Sequence, residues 1–124
     1  MKHYLLYHKI EVMGYSLDTV NDFVAFTNKK VSDEIIGNKL WLITGEGKPK
    51  VFSLKMYFIL DDVKSGAEKD FKTKLIGIEG KILNPMIRID NLPWFDEFRN
   101  QMANFVGFSE IKQQKFIDEF EKLI

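Results

Sequence analysis

The sequence predicts an α+β fold, a curved antiparallel sheet or small β-barrel with flanking helices, formed as one domain over residues 1–124. Three observations predict it. Phe52, Leu54, Met56, Phe58 and Leu60 are apolar at every second position, with Ser53, Lys55, Tyr57 and Asp61 falling between them, the period of a strand with one buried face. Leu40-Trp41-Leu42-Ile43-Thr44 reads as a shorter strand before it, and Gly45, Gly47 and Pro49 break the pattern between the two, so Asn38 to Val63 forms a long hairpin. Further short strand-like segments flank this hairpin, and curling or closing such a sheet removes its exposed edges.

Taken in order, Tyr4 to Val12 alternates as a strand, with Leu6, His8, Ile10 and Val12 on one face and Tyr7, Lys9 and Glu11 on the other. His8 thus lies in an apolar row, where a hydrogen-bonded core histidine is a plainer account than a ligand, and His3 is on the opposite face. Gly14-Tyr15-Ser16 turns the chain, and Ser16 suits the cap of a helix carrying Leu17, Val20, Phe23 and Val24, ending by Lys30. Ser32-Asp33-Glu34 suits a short turn. After the hairpin, residues 64–70 have the composition of an exposed loop, and Leu75 to Ile78, Ile82-Leu83 and Met86 to Ile89 are further strand candidates. Pro93 suits a first helical position, with Asp96 and Glu97 in the first turn and Trp94, Phe95, Phe98 and Met102 on one aromatic face. Ser109 is a cap for a last helix whose apolar stripe is Phe116, Ile117, Phe120, Leu123 and Ile124.

Composition narrows the function. With 18 basic and 18 acidic residues the formal charge is zero, so no global field draws the molecule to nucleic acid or anionic lipid. Local charge is uneven: Lys48, Lys50 and Lys55 stand without an acid between Gly47 and Leu60, and more lysines follow between Val63 and Ile82. Solvated sheet positions are the plain account of these lysines, and phosphate contact is the sharper one. The absence of Cys removes disulfides and thiolate metal sites. No apolar run is long enough to span a bilayer, and residues 1–15 lack a signal-peptide core, so a cytoplasmic protein without membrane contact is expected.

Catalytic motifs are sparse. There is no G-x-S-x-G, neither His stands beside a Ser or an acid, and Gly45-Glu46-Gly47-Lys48 lacks the ending of a phosphate-binding loop. Asp62-Val63-Lys64 and Glu79-Gly80-Lys81 have the acid-x-Lys spacing of magnesium-dependent nucleases, but such triplets are common by chance in a Lys-rich chain and solvated strand ends are by far the plainer account. Rings fit binding better: Trp41, on the face opposite Leu40 and Leu42, and Trp94 with Phe95 suit either the core or the walls of a pocket for a planar ligand such as a base.

The run Gly37-Asn38-Lys39-Leu40-Trp41-Leu42-Ile43-Thr44-Gly45, followed by Lys48-Pro49 and the long strand, resembles the central part of EVE-type domains of the PUA-like superfamily. Ile87-Arg88-Ile89-Asp90 with Leu92-Pro93-Trp94-Phe95 and Arg99-Asn100-Gln101 is similar to the small sensor-like domains that accompany HNH and other restriction-type nucleases. The opening Tyr4-Leu5-Leu6-Tyr7 and Asn38 depart from the EVE pattern. The resemblance implies a PUA-like curved sheet with flanking helices and a pocket for a flipped, modified base. By position it assigns Trp41, Thr44, Gly45, Trp94, Arg99 and Asn100 to that pocket.

The expected function is a non-enzymatic module that recognises a modified base in nucleic acid, DNA first, with Lys48, Lys50 and Lys55 on phosphate, no metal or cofactor, and any cleaving partner on another chain. A protein-interaction or small-ligand module is the alternative. A metal-dependent nuclease using Asp61, Asp62 and Glu79 is the third reading.

Overall fold

A computed structural model describes residues 1–68, 71–105 and 107–124. Six strands form one sheet in the order β2-β5-β4-β3-β1-β6. They are β1 (His3–His8), β2 (Val24–Thr27), β3 (Lys39–Glu46), β4 (Val51–Glu68), β5 (Phe71–Arg88) and β6 (Phe108–Ile111). The β1 and β3 pair is parallel, and every other pair is antiparallel. The expected hairpin is present as β3 and β4, with Trp41 opposite Tyr57.

The sheet curls into a half-barrel because β4 and β5 are too long to stay flat. Each has 18 residues, and their register shifts at four places along the ladder, each an irregularity of the kind that bends a strand and adds twist. Gly77 sits on one bend: a Cβ there would lie 2.2 Å from the Phe58 ring, so only glycine allows the two strands to approach. The curl brings the sheet's two ends together, and Lys29 just beyond β2 donates from Nζ to the carbonyl of Phe108 on β6 at 2.8 Å.

Each face of the sheet has its own core. Inside the curl, Leu6, Leu40, Leu42, Met56, Phe58, Leu60 and Leu75 pack with Leu17. Outside, Leu5, Trp41, Ile43, Phe52 and Leu54 are covered by α2 (Phe95–Gln101) and α3 (Gln114–Glu121) through Phe95, Phe98, Phe116 and Phe120. Central strand β3 is therefore buried on both sides.

Several boundaries differ from the sequence reading. The first strand ends at His8, and Ile10–Met13 form a short helix, α1, closed by Gly14 at φ 80°. Ser16 does cap, its side chain accepting from Asp18 N, but only a 3-10 turn over Leu17–Thr19 follows, and Val24 begins β2. Leu17 is drawn into the inner core and Val24 into pairing with Ile76, which overrides their helical spacing. Ser32 likewise accepts from Glu34 N and starts the expected turn. Residues expected as a loop after Val63 extend the hairpin, with Ser65 paired to Thr73 and Glu68 to Phe71; residues 69 and 70 lie outside the described residues. The short strand candidates between Leu75 and Ile89 are joined in β5 up to Arg88. Ser109 is in β6 rather than at a helix cap, and α3 starts after Gln113.

Candidate nucleic-acid interface

Beyond the part of the sheet that α2 and α3 cover, no helix among the described residues packs on the outer face of β2 and of the adjoining stretches of β4 and β5. Alternation along β5 turns Thr73 and Leu75 inward, which places Lys72, Lys74 and Ile76 outside. Lys74 is directly opposite Lys64 on β4 and opposite Phe26 on β2. Its Nζ stands 5.9 Å from the centre of the Phe26 ring. Beside this row lies a cavity of about 500 Å³ lined by Tyr15, Thr19, Asn21, Asp22, Phe26 and Lys74. Like charges set directly opposite each other destabilise a sheet, so the Lys64 and Lys74 pair is a feature that folding alone does not favour. Two acids stand near the row: Asp22 lines the same cavity as Lys74, and Asp62 on β4 accepts from the amide of Val63 at 2.8 Å.

The expected pocket residues fall in several places. Trp41 is fully buried. Its indole N–H donates to His3 Nδ1 at 3.0 Å, its ring packs 5.2 Å from Phe120, and Lys39 Nζ covers it at 4.6 Å, held there by Glu121 at 2.8 Å. This corrects the expectation of a base pocket at Trp41, because every side of the ring is already occupied. Trp94 is half-buried and meets the other side of Phe120 at 5.1 Å. The two Trp residues thus share one buried ring rather than an open cleft.

Gly45 and Arg99 do come together, around Phe52. A Cβ on Gly45 would lie 2.5 Å from Tyr7 Oη and 2.7 Å from the Phe52 ring, so close packing explains this glycine. The Arg99 guanidinium lies 4.8 Å from the same ring, with its Nε buried and without a hydrogen-bond partner. Asn100 is exposed on α2. Thr44 faces the other way, into the curl, where its hydroxyl is 3.0 Å from the His8 carbonyl and from Glu46 Oε2.

Thr44 belongs to a polar cluster at one end of the inner core. Glu46 also accepts from Ser16 Oγ at 2.7 Å and from Leu17 N at 3.0 Å. Burial pushes its carboxyl up, but these hydrogen bonds from Ser16, Leu17 and Thr44 together hold it below the usual range. His8, buried as its apolar row implied, has Nε2 2.9 Å from the Tyr15 carbonyl, and burial lowers its pKa despite that contact and the charge of Glu46. With Nε2 committed to a carbonyl, His8 is not set to activate Ser16.

Of the expected phosphate-binding lysines, Lys48 and Lys50 are exposed in the turn between β3 and β4. Lys55 is not. The register shift against β3 leaves it as the extra residue between Leu54 and Met56, and it is fully buried, its Nζ donating to Asp18 O at 3.2 Å and 3.8 Å from Asp18 Oδ1. The expectation that Lys55 contacts phosphate is corrected accordingly. Lys50 and Lys64 stand at opposite ends of β4, roughly 45 Å apart measured along an extended chain, so the lysines expected as one basic side form two groups. Asp62 is opposite Ile76 and Glu79 opposite Ile59, and among the described residues no three His, Cys, Asp or Glu side chains gather as metal ligands.

Sequence reasoning missed Phe26 and the Lys64 to Lys74 pairing. The run Val24-Ala25-Phe26-Thr27, rich in strand-forming residues, held a signal for β2, but cross-strand register is set by the bulges and is not visible in either strand alone. No protein-family model matches this chain, and comparison with curated proteins and with solved structures finds no match. No helix among the described residues is long and apolar enough to cross a membrane.

Proposed function

We propose that this chain is a non-enzymatic nucleic-acid-binding module, PUA-like in its curled sheet with flanking helices, that holds the phosphate backbone of DNA on the bare outer face of β2, β4 and β5. The observation that carries this reading is the row Phe26, Lys74, Lys64 with Lys72 beside it. Three ammonium groups on one uncovered face form a local anion site in a chain of zero net charge. Phe26, with Lys74 at its ring, lines the adjoining cavity and gives it an aromatic wall for a base to lie against. A sealed Trp41 takes no part, so any preference for a modified base belongs to the Phe26 side of the molecule.

The test is fluorescence anisotropy with short single- and double-stranded oligonucleotides, plain and modified, across salt concentrations. Contacts from Lys64, Lys72 and Lys74 predict a log–log salt slope of roughly 2 to 3. Lys64→Glu and Lys74→Glu are expected to remove binding, and Lys55→Met to leave it unchanged. Absence of binding even at low salt sinks the proposal.

A further inference from the structure

Strand β6 is the last strand of the sheet, and among the described residues only one of its edges is paired. The Tyr7 amide donates to the Gly107 carbonyl at 3.2 Å, and the same register sets Leu5 opposite Ser109 and His3 opposite Ile111. In an antiparallel ladder the hydrogen-bonded pairs alternate, so residues 107, 109 and 111 bond to β1, while the backbone groups of Phe108 and Glu110 point away from it. The Phe108 carbonyl is occupied by Lys29 Nζ. The Phe108 N–H and both backbone groups of Glu110 have no partner among the described residues.

This free edge faces a cavity of about 620 Å³ that runs beside it. Met102 and Phe116 give it an apolar wall, and Lys29 and Lys112 place two cations at it against the single acid Glu110. Ala103 on its rim begins a stretch of backbone that costs energy: Ala103, Asn104 and Phe105 have φ of 49°, 58° and 63°, and consecutive left-handed residues other than glycine are rare and strained. Phe105, buried against Phe52, Phe95 and Phe98, holds them there.

We propose that β6 accepts an extended peptide segment of a partner protein as a seventh strand, with apolar side chains at alternate positions toward Met102 and Phe116 and an acidic side chain toward Lys29 and Lys112. The chemistry selects this occupant. The outward Phe108 N–H and the Glu110 N–H and C=O match a peptide backbone, the excess of lysine favours an acidic side chain, and the apolar wall of Met102 and Phe116 suits the apolar side chains of one strand. The site is separate from the lysine row on β4 and β5, and its failure leaves the proposed nucleic-acid surface untouched.

The experiment selects peptides of about twelve residues from a displayed library against the full chain, then follows amide exchange by NMR with a synthesised peptide. Enriched peptides are expected to alternate apolar and acidic residues and to slow exchange at Phe108 and Glu110. Glu110→Pro removes an outward N–H without touching the β1 ladder and is expected to weaken binding at least about tenfold; Lys29→Glu with Lys112→Glu should shift the selected peptides from acidic to basic. Overturning results are no enrichment, enriched peptides that leave the Phe108 and Glu110 amides unprotected, or binding unaffected by a folded Glu110→Pro variant. If that variant does not fold, exchange in the unaltered chain decides alone. Protection of Glu110 in the chain by itself, rising with protein concentration, assigns the edge to a second copy, and protection only by an oligonucleotide assigns it to nucleic acid; either overturns the peptide.

Discussion

The two halves of the outer sheet face share strands β4 and β5 and end in opposite surfaces. Under α2 and α3, β3 and the first part of β4 present Trp41, Ile43, Phe52 and Leu54, all nearly inaccessible and locked into a cluster of rings around Phe98 and Phe120. Past the bends, the same face of β4 and β5 presents Asp62, Lys64, Lys72 and Lys74, with Ile78 on nearby β5 left 60% exposed. Both halves alternate inward and outward alike. The difference lies in what covers the outward residues, and it teaches that rings on a sheet mark a binding surface only where nothing packs on them.

Substitutions that cut into the covered half should give the largest effect. Phe120→Ala removes the ring shared by Trp41 and Trp94 and is expected to cost about 3 to 5 kcal/mol, read as a lower midpoint in urea denaturation. If instead it costs under about 1 kcal/mol, the covered half is not the packed core described here, and the contrast fails.

Acid should act next, through the histidines. Burial holds His3 and His8 below the ordinary value of 6.5, so near and below that pH the unfolded chain takes up protons that the folded chain refuses. Their contribution is full above 6.5 and is lost as pH falls toward their folded values. Glu46 and Asp90 lie below the ordinary 4.5 and 3.8, so their contribution is present above those values and lost as pH falls below them. Melting temperature should therefore drop in two stages on acidification, and His8→Asn should blunt the first. A melting temperature flat through the histidine range refutes the buried neutral state.

The bare half sharpens the comparison in the other direction. Lys64→Glu replaces a like-charged pair with an opposite one and is expected to stabilise by about 0.2 to 1 kcal/mol while removing oligonucleotide binding. A loss of both stability and binding would mean that Lys64 serves the fold. Smallest of all, Ile78→Thr should stay within about 0.5 kcal/mol, since its side chain is already largely in water.

Much of the frame was legible in the sequence because it depends on near neighbours. Two-residue alternation marked Phe52 to Leu60 as a strand with apolar residues buried at every second position, but the bulge at Lys55 splits the row expected on one face, with Phe52 and Leu54 under the helices and Met56, Phe58 and Leu60 inside the curl. The helical spacing of Phe116, Ile117 and Phe120 placed all three in the core. Alternation also set Trp41 opposite Leu40 and Leu42, but it could not say that Phe120 and Lys39 would close over the ring. The candidate site was less legible: five lysines between Val63 and Ile82 were visible as composition, yet only the register showed that Lys64 meets Lys74.

By itself the sequence determined a strand-rich α+β chain with a central β3 and β4 hairpin, an aromatic helix after Pro93 and a balanced charge. Those properties follow from side-chain period, caps and composition, which act over a few residues. Tertiary structure alone decided that Lys55 turns inward at a bulge, that Val24 joins a sheet instead of a helix, and that β6 keeps a free edge beside a groove. Each of these depends on which distant segment lies alongside, and pairing across tens of residues is fixed by the total burial and hydrogen bonding of the sheet rather than by any local preference.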